Sequence, residues 1–259
     1  MLSVTHDSIT KHFESIESHK AIIHPLFEWL NEQSIDRFSD AILFDIYRTN
    51  YFTRTQGITS AISEILKAAI EESDSLTIAL VGMNIFEETG EGDSKNTHLM
   101  MLQDSHNQHG EFIFNLAPIP IKLARHNDHT LNHTLKSFRN FPENRMHLYS
   151  NTSYLFKLGV MLADETAAVP MIEGFYKAFF KPYEKLYTKK DFQSMSQYFS
   201  SHLSGVEQRH GSDILQAVDN NFKSISDLDE VMYGIESFFR IQSDIWDDLL
   251  LALLTAKRG

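Results

Sequence analysis

The sequence predicts an all-α protein, a single bundle of long helices, on three observations. Apolar residues recur at steps of three and four along most of the 259 residues. Alternation with period two is scarce, and only 11 glycines and 6 prolines interrupt the chain. Hydrophobic residues make up 42% of it, which is enough for one buried core at this length. No linker divides the chain, so we expect one helical domain over residues 1–259.

The apolar pattern divides into nine predicted helices. They lie near residues 5–33, 36–72, 74–88, 95–107, 119–139, 148–169, 171–186, 190–220 and 227–257. The clearest stripes are Ala61 to Ile70, Leu155 to Leu162 and Ile235 to Leu250. Serines precede three of these helices and are the predicted N-caps, because a hydroxyl there accepts a hydrogen bond from a free backbone N–H: Ser73, Ser94 and Ser226. Two prolines favour a loop over residues 108–120.

Composition excludes several classes of function. The net charge is −12 and no basic cluster exceeds the last three residues, so neither nucleic acid nor an anionic membrane is an expected partner. The absence of cysteine excludes disulfides, thiolate ligands and a cysteine nucleophile. The longest apolar run, Leu249 to Leu254, is too short to span a bilayer, and the first residues carry no apolar core of signal-peptide type. We expect a cytoplasmic protein.

Carboxylates and histidines with metal-ligand spacing occur in the segment HLSGVEQRH. Glu207 and His210 are three residues apart and lie on one face of a helix, a spacing that dimetal carboxylate bundles use. His202 lies eight residues before His210 and does not share that face on a regular helix. Convergence of all three therefore requires a helix that is locally widened or unwound, as occurs at functional sites.

Two further stretches carry candidate ligands. Glu165 follows Leu158, Met161 and Leu162 on an apolar stripe, where a carboxylate is costly unless it is paired or bound to a metal. In NIFEETGEGDSKNTH, Glu88 ends one predicted helix, two glycines turn the chain, and the final histidine, His98, begins the next helix. The alternative for each is ordinary: an acidic turn, a helix end that reaches solvent, or a surface pair.

In this order, the three stretches resemble the haem-oxygenase-like diiron oxidases, a family that includes the chlamydial protein associating with death domains and shares its fold with TenA and PqqC. The resemblance runs from about Glu64 to His210 and implies a bundle of about seven core helices. It implies six metal ligands: Glu88, His98, Glu165, His202, Glu207 and His210. The family's last motif has one residue fewer after its first histidine, and it has Asp where this chain has Glu207.

The resemblance also places two further candidate carboxylates. Glu64 lies roughly where some members have a further ligand, and an ion pair with Lys67 is the alternative. Glu91 is the alternative to Glu88, because some members place that carboxylate nearer the histidine. The implied cofactor is two Fe(II) ions per chain, with Mn as an alternative. The implied partners are O2 and a small substrate of the amine, amino-acid or fatty-acid type. The aromatic-rich last helix is compatible with a homodimer.

Other histidines receive a structural interpretation. His126, His129 and His133 form the best zinc-like spacing in the chain, but the segment is mostly polar and indicates a solvated helix face. His106 and His109 lie in a polar stretch and receive the same interpretation.

Two alternative hypotheses do not involve a diiron site. The same fold without metal could act as a cofactor oxidase or a small-molecule-binding module, or bind haem through His19 or His24. An acidic bundle could instead bind protein partners. TenA-type chemistry is disfavoured because the chain has no cysteine. The discriminating observation is whether the proposed ligands converge in the interior or scatter over the surface.

Overall fold

The computed structural model describes residue 16 and residues 18–32, 40–120 and 133–257. Within these ranges the chain forms eleven α-helices and no strand, so the all-α prediction is confirmed. They are α1 (Pro25–Glu32), α2 (Ala41–Thr55), α3 (Ile58–Glu71), α4 (Ser75–Glu88), α5 (His98–Phe114), α6 (Lys136–Tyr149), α7 (Tyr154–Phe179), α8 (Lys189–Met195), α9 (Gln197–Ser201), α10 (Glu207–Asn221) and α11 (Ile225–Ala256). A 3-10 turn, Lys181–Leu186, follows α7, and a π-helical turn, His202–Val206, joins α9 to α10. None of the described helices combines the length and apolar character that crossing a bilayer needs.

The centre of the bundle is the packing of α11 along α7. Trp246 of α11 is fully buried, and its ring lies 5.7 Å from both Phe27 of α1 and Phe175 of α7. Phe138 of α6 approaches the same indole at 5.9 Å. Edge-on and tilted aromatic contacts of this kind bury large apolar areas in a defined geometry. One side chain therefore holds four helices together.

Two glycines allow α7 and α11 to approach closely. Gly159 of α7 lies against the backbone of Val231, and Gly234 of α11 lies against the backbone of Phe156. A Cβ atom at either position would overlap with the opposing main chain, which cannot move as a flexible side chain can. This crossing fixes the position of α7, which carries Glu165.

Three of the predictions for long helical segments are wrong. The predicted helix 36–72 is two helices, because Gly57 adopts a left-handed φ of 76° between them. The predicted break at Pro170 does not occur, and α7 runs through it. Side chains all around α7 are buried, so tertiary packing offsets the hydrogen bond that the proline removes. The predicted helix 190–220 is instead α8, α9, the π-helical turn and α10.

The predicted N-caps are displaced by one to three residues. Asp74, Thr97 and Ser224 accept the capping hydrogen bonds, in place of Ser73, Ser94 and Ser226. The predicted loop 108–120 is partly wrong, since α5 continues to Phe114 before the chain extends. The predicted helix 119–139 becomes helical only at Lys136 within the described residues.

The interpretation of His106 and His109 as solvated is wrong. Both lie on the inner face of α5 and are fully buried. The His106 ring bonds the hydroxyl of Tyr47 at 3.1 Å, and the His109 ring bonds that of Tyr187 at 2.8 Å. Burial lowers the pKa of His109 to about 3 and that of His106 well below its usual range, so both imidazoles are neutral parts of an aromatic core.

Asp74 links three helices through one carboxylate. It caps α4 by accepting hydrogen bonds from Thr77, and it accepts others from Tyr154 of α7 at 2.9 Å and Asn221 of α10 at 2.5 Å. Burial by itself raises the pKa of Asp74, but these hydrogen bonds outweigh it and lower the pKa below the ordinary 3.8. The carboxylate therefore stabilises the fold in its charged form.

We expect Asp74→Ala to lower the free energy of unfolding by about 2 kcal/mol at pH 7. Because the folded-state pKa is depressed, the contribution is present above the unfolded pKa of about 3.9 and is lost as the pH falls through the folded value. Urea unfolding at several pH values should show the difference from wild type shrinking below about pH 4. Asp229→Ala, an exposed position of α11, is the control, and an equal loss there would contradict the argument.

We expect Gly159→Ala to destabilise the protein by about 2 kcal/mol or more, because the added methyl group meets the backbone of Val231. Gly82→Ala in α4 is the matched control, since nothing lies within 4 Å of its added Cβ atom. That change should be neutral or stabilising by up to about 1 kcal/mol. Thermal unfolding of both variants checks the pair, and equal stabilities would contradict the close helix crossing.

Candidate metal centre

A tight turn between α4 and α5 brings the first pair of candidate ligands together. Glu88 is the last residue of α4 and His98 is the first of α5, as the sequence predicts. Gly90 has a φ of 85°, and a Cβ atom there would meet the backbone of Asn96 and Thr97 at 2.8 Å. The turn thus folds back on itself, and the Nδ1 atom of His98 reaches the Oε1 atom of Glu88 at 2.8 Å.

A π-helical turn brings the second group of ligands together. His202 begins the turn, and Gly205 inside it has a φ of 110°, which an L side chain rarely adopts. The predicted widening of the helix is therefore confirmed. The turn brings the Nε2 atom of His202 to 3.4 Å from Glu207 Oε1, and within α10 the Nδ1 atom of His210 lies 3.9 Å from Glu207 Oε2.

Glu165 approaches the same place from the middle of α7. Its Oε2 atom lies 3.6 Å from His210 Nδ1. Its other oxygen accepts a hydrogen bond of 2.8 Å from the side-chain amide of Asn84, one turn before Glu88 on α4. Glu165 is 8% exposed, so the carboxylate is buried, in accordance with its place on an apolar stripe.

Five of the six residues form two groups that share one carboxylate, and Glu165 adjoins the second group through its contact with His210. Glu88, His98 and His202 offer ligand atoms within 4.8 Å of one another, and Glu88, Glu207 and His210 do so as well. The two facing imidazole nitrogens of His98 and His202 are 3.1 Å apart. Each group brings carboxylate oxygens and imidazole nitrogens close enough together to hold a metal ion.

Burial and mutual charge strongly shift the pKa values in this cluster. Burial, with the nearby charges of Glu165 and Glu88, raises the pKa of Glu207 to about 7. Burial and the neighbouring His98 lower the pKa of His202 to about 4. Burial would lower the pKa of His210, but the carboxylates of Glu165 and Glu207, 3.6 and 3.9 Å from its Nδ1 atom, favour the charged imidazolium and raise its pKa to about 11. Crowded carboxylates of this kind favour a bound cation.

The hydrogen bonds of two histidines fit metal ligation. The Nδ1–H group of His202 donates to the carbonyl oxygen of Tyr198 at 2.6 Å, which leaves Nε2 to face the cluster. The Nε2 atom of His210 bonds the carboxylate of Glu87 at 2.7 Å, while its buried Nδ1 atom has no hydrogen-bond partner. Outer partners that fix the ring and leave the inner nitrogen free are typical of metal-ligating histidines.

Other sequence candidates lie outside the two groups. Glu91 is exposed on the α4–α5 turn, and Glu64 is half-buried on α3. His126 and His129 lie outside the described residues, and His133 is exposed with a φ of 73°. His24 has both ring nitrogens engaged, by the Leu26 N–H and by Asp247.

Glu87 was not among the site residues predicted from the sequence, although it bonds His210 and pairs with Arg209. The sequence feature that could have indicated it is the pair of adjacent acidic residues, Glu87 and Glu88, at the end of α4. Each carboxylate has a different role because successive side chains of a helix point about 100° apart. Glu88 faces His98, whereas its neighbour faces α10.

The cluster opens onto a small cavity. The cavity has a volume of about 60 Å³, which is enough for several water molecules or a small organic group. Its apolar wall comes from α3, α5 and α7: Ile58, Leu99, Leu102, Ala168, Met171 and Ile172. Two tyrosines, Tyr51 and Tyr198, whose hydroxyls are 3.1 Å apart, complete the wall near His202.

Solved structures with this architecture are known. Two crystal structures of a CADD-like protein of unknown function from Nostoc punctiforme PCC 73102 match with TM-scores of 0.66 and 0.62, at 16% and 15% identity. The first match covers 95% of this chain and 96% of that one, and the second covers 96% of both. A domain of unknown function with a heme oxygenase-like fold from Shewanella denitrificans OS217 matches with a TM-score of 0.55 and 15% identity, over 94% of this chain and 89% of that one.

These likenesses show the fold, a haem-oxygenase-like helical bundle, and the predicted fold is confirmed. No protein-family model matches the chain, and no curated protein matches it. At about one-sixth sequence identity a shared fold does not carry a shared activity. The function therefore has to be argued from the residues of the site.

We expect Gly205→Ala to weaken the binding of divalent metal ions, Fe(II) among those titrated, at least about tenfold, because the strained φ shifts His202 relative to Glu207. Gly211→Ala, in the same helical segment with nothing near its added Cβ atom, should bind as wild type does. Anaerobic titration with circular dichroism of each variant measures the effect. Equal affinities in the two variants would mean that the π-helical turn does not position ligands.

Proposed function

We propose that this protein is a non-haem diiron oxidase or oxygenase that uses O2 to oxidise a small organic substrate. The observation that carries the proposal is the pair of ligand groups that share Glu88. The side chains are buried or partly buried and converge, whereas a protein-binding module has no need for such convergence. This favours the enzyme over the alternative of a metal-free binding module.

The donor set supports iron, with manganese as the alternative. Carboxylate oxygens and imidazole nitrogens, without thiolates, suit Fe(II) and Mn(II), and open coordination positions then allow O2 to bind. Three carboxylates, Glu88, Glu165 and Glu207, contribute up to three negative charges to a buried site. Two divalent cations would compensate them, which is the electrostatic reason for two ions rather than one.

The protein's own residues supply geometry, proton control and a dry site. Two Fe(II) ions bound there would supply the electrons that reduce O2 and the oxidising power to attack a C–H or N–H bond. Tyr198 and Glu87 hold the outer nitrogens of His202 and His210, so that the inner nitrogens face the site. Asn84 holds one oxygen of Glu165, which leaves the other free to bind.

The cavity beside the ligands would place the substrate. Apolar side chains from three helices exclude bulk water from it, which limits unproductive reactions of the activated site. The bond to be oxidised would lie next to the cluster, while the remainder of a small substrate contacts the apolar wall. Substrates larger than a few carbon atoms require side chains of the wall to move.

We expect anaerobic Fe(II) titration to give about two ions per chain, and O2 to change the visible absorption of the loaded protein. His210→Ala should lower the stoichiometry or weaken binding more than about tenfold, and abolish the absorption change. His147→Ala and Glu91→Gln, which alter exposed side chains outside the cluster, are the matched controls. Both should bind iron as wild type does.

Absence of tight Fe(II) or Mn(II) binding by a correctly folded wild-type chain would reject the proposal. Equal loss of iron in His210→Ala and His147→Ala would also reject it, because binding would then not depend on the cluster. Either result would leave the acidic turn at Glu88 as a structural feature of the bundle.

A further inference from the structure

We propose that the substrate cavity contains a carboxylate-binding subsite formed by Arg54 and Arg145, so that the substrate is a small carboxylic acid with a short apolar chain. The inference rests on the proposed function in one respect, since it takes this cavity to be the substrate site. It adds the chemical group by which the substrate is recognised, and two residues that recognise it.

Both arginines are buried and line the same cavity as the candidate ligands. Arg54 of α2 is 4% exposed and Arg145 of α6 is 1% exposed. Such burial of a guanidinium group is expensive unless its charge is compensated. Arg54 lies over the rings of Phe141 and Trp246, at 5.3 and 5.8 Å from the centroids, and Arg145 lies 5.5 Å from Phe141. Packed rings hold both side chains in place.

The charges of these arginines are only half compensated. Asp164 is the one described acidic residue that pairs with them, at 3.0 Å from Arg54 Nη2 and 3.8 Å from Arg145 Nη1. The remaining partners are uncharged: Gln242 at 2.6 Å from Arg54, and the carbonyl oxygen of Gln56 at 2.5 Å from Arg145. Within this group of three ion-paired side chains, two positive charges meet one negative charge, which leaves an excess of one positive charge; Glu88 acts on Arg145 through its charge but forms no ion pair with it.

Unused hydrogen-bond donors accompany this excess charge. The Nε atom of Arg54 and the Nε and Nη1 atoms of Arg145 are buried without a hydrogen-bond partner. Guanidinium groups present paired N–H donors that match the two oxygens of a carboxylate. A single carboxylate would therefore supply both the missing negative charge and acceptors for the free donors.

The rest of the cavity limits what the carboxylate can be attached to. The apolar wall described above, including Ile58, Leu102 and Met171, favours a hydrocarbon chain over a polar one. The small volume favours a short or branched chain. The carboxylate would be held by the arginines and the chain by the wall, within the cavity that Glu88 and Glu165 also line.

Isothermal titration of the full chain with isovalerate and with isovaleramide tests the subsite. The two probes have nearly the same shape and differ in charge. We expect wild type to bind isovalerate at least about tenfold more tightly than the amide, both without metal and with Fe(II) under anaerobic conditions. Arg145→Gln should lose at least about tenfold in affinity for isovalerate and little for isovaleramide.

Arg145→Gln leaves Arg54 and Asp164 as a balanced pair, so it removes the excess charge without leaving an unpaired carboxylate. Arg139→Gln, an exposed arginine of the same helix, is the matched control and should bind isovalerate as wild type does. If Arg145→Gln fails to fold, NMR of the arginine Nε–H groups in wild type replaces it. Isovalerate should then shift at least one of these resonances and isovaleramide should not.

The result separates the subsite from the proposed function. Equal binding of acid and amide by wild type, or isovalerate binding unchanged in Arg145→Gln, would overturn the subsite. Iron titration of the same samples is a separate readout, and Arg145→Gln should still bind about two Fe(II) ions. Isovalerate selectivity without iron binding would reject the diiron proposal and leave the carboxylate subsite standing.

Discussion

The rest of the site depends on the contact between Glu88 and His98, a partly buried carboxylate bonded to a partly buried imidazole across a turn of nine residues. Burial favours the uncharged form of each group, whereas their hydrogen bond and opposite charges favour the charged forms and prevail in both. The pKa of Glu88 is therefore lowered and that of His98 is raised. His202 reaches His98 at 3.1 Å, Glu207 and His210 offer ligand atoms within 4.8 Å of Glu88, and both residues of the pair line the cavity.

The surrounding bundle divides into a rigid frame and an adjustable segment. The frame is the crossing of α7 and α11, where two glycines bring backbones into contact and Trp246 joins four helices. This frame fixes Glu165 and Asp164 on consecutive positions of one helix. The adjustable segment is the π-helical turn, whose left-handed glycine sets the distance from His202 to Glu207. Precise ligand geometry thus comes from a rigid element on one side and a local helical irregularity on the other.

Two groups of charged side chains line the same cavity and suit ligands of opposite charge. The carboxylates and imidazoles around Glu88 carry more negative charge than their neighbours compensate, which suits a cation. Arg54 and Arg145 carry more positive charge than Asp164 compensates, which suits an anion. Because Arg54, Arg145 and Asp164 are buried, solvent screens their charges less than it would at the surface. A carboxylate substrate and two metal ions together would compensate both the excess positive and the excess negative charge.

The amino-acid sequence by itself determined the all-α class, the ends of α4 and α5 at Glu88 and His98, and the need for a widened helix after His202. These follow from local rules: apolar periodicity, turn-forming glycines, and the angle between residues on a helix. Arg54 and Arg145 were not among the residues predicted from the sequence. Each lies on an apolar helix face, where a charged side chain is costly unless it is compensated, and this is the reason for which Glu165 was a candidate. The burial of His106 and the continuity of α7 through Pro170 could not be read from the sequence. Both depend on which neighbouring helices cover a surface, and only the tertiary structure decides that, because packing between distant segments outweighs local polarity and local helix propensity.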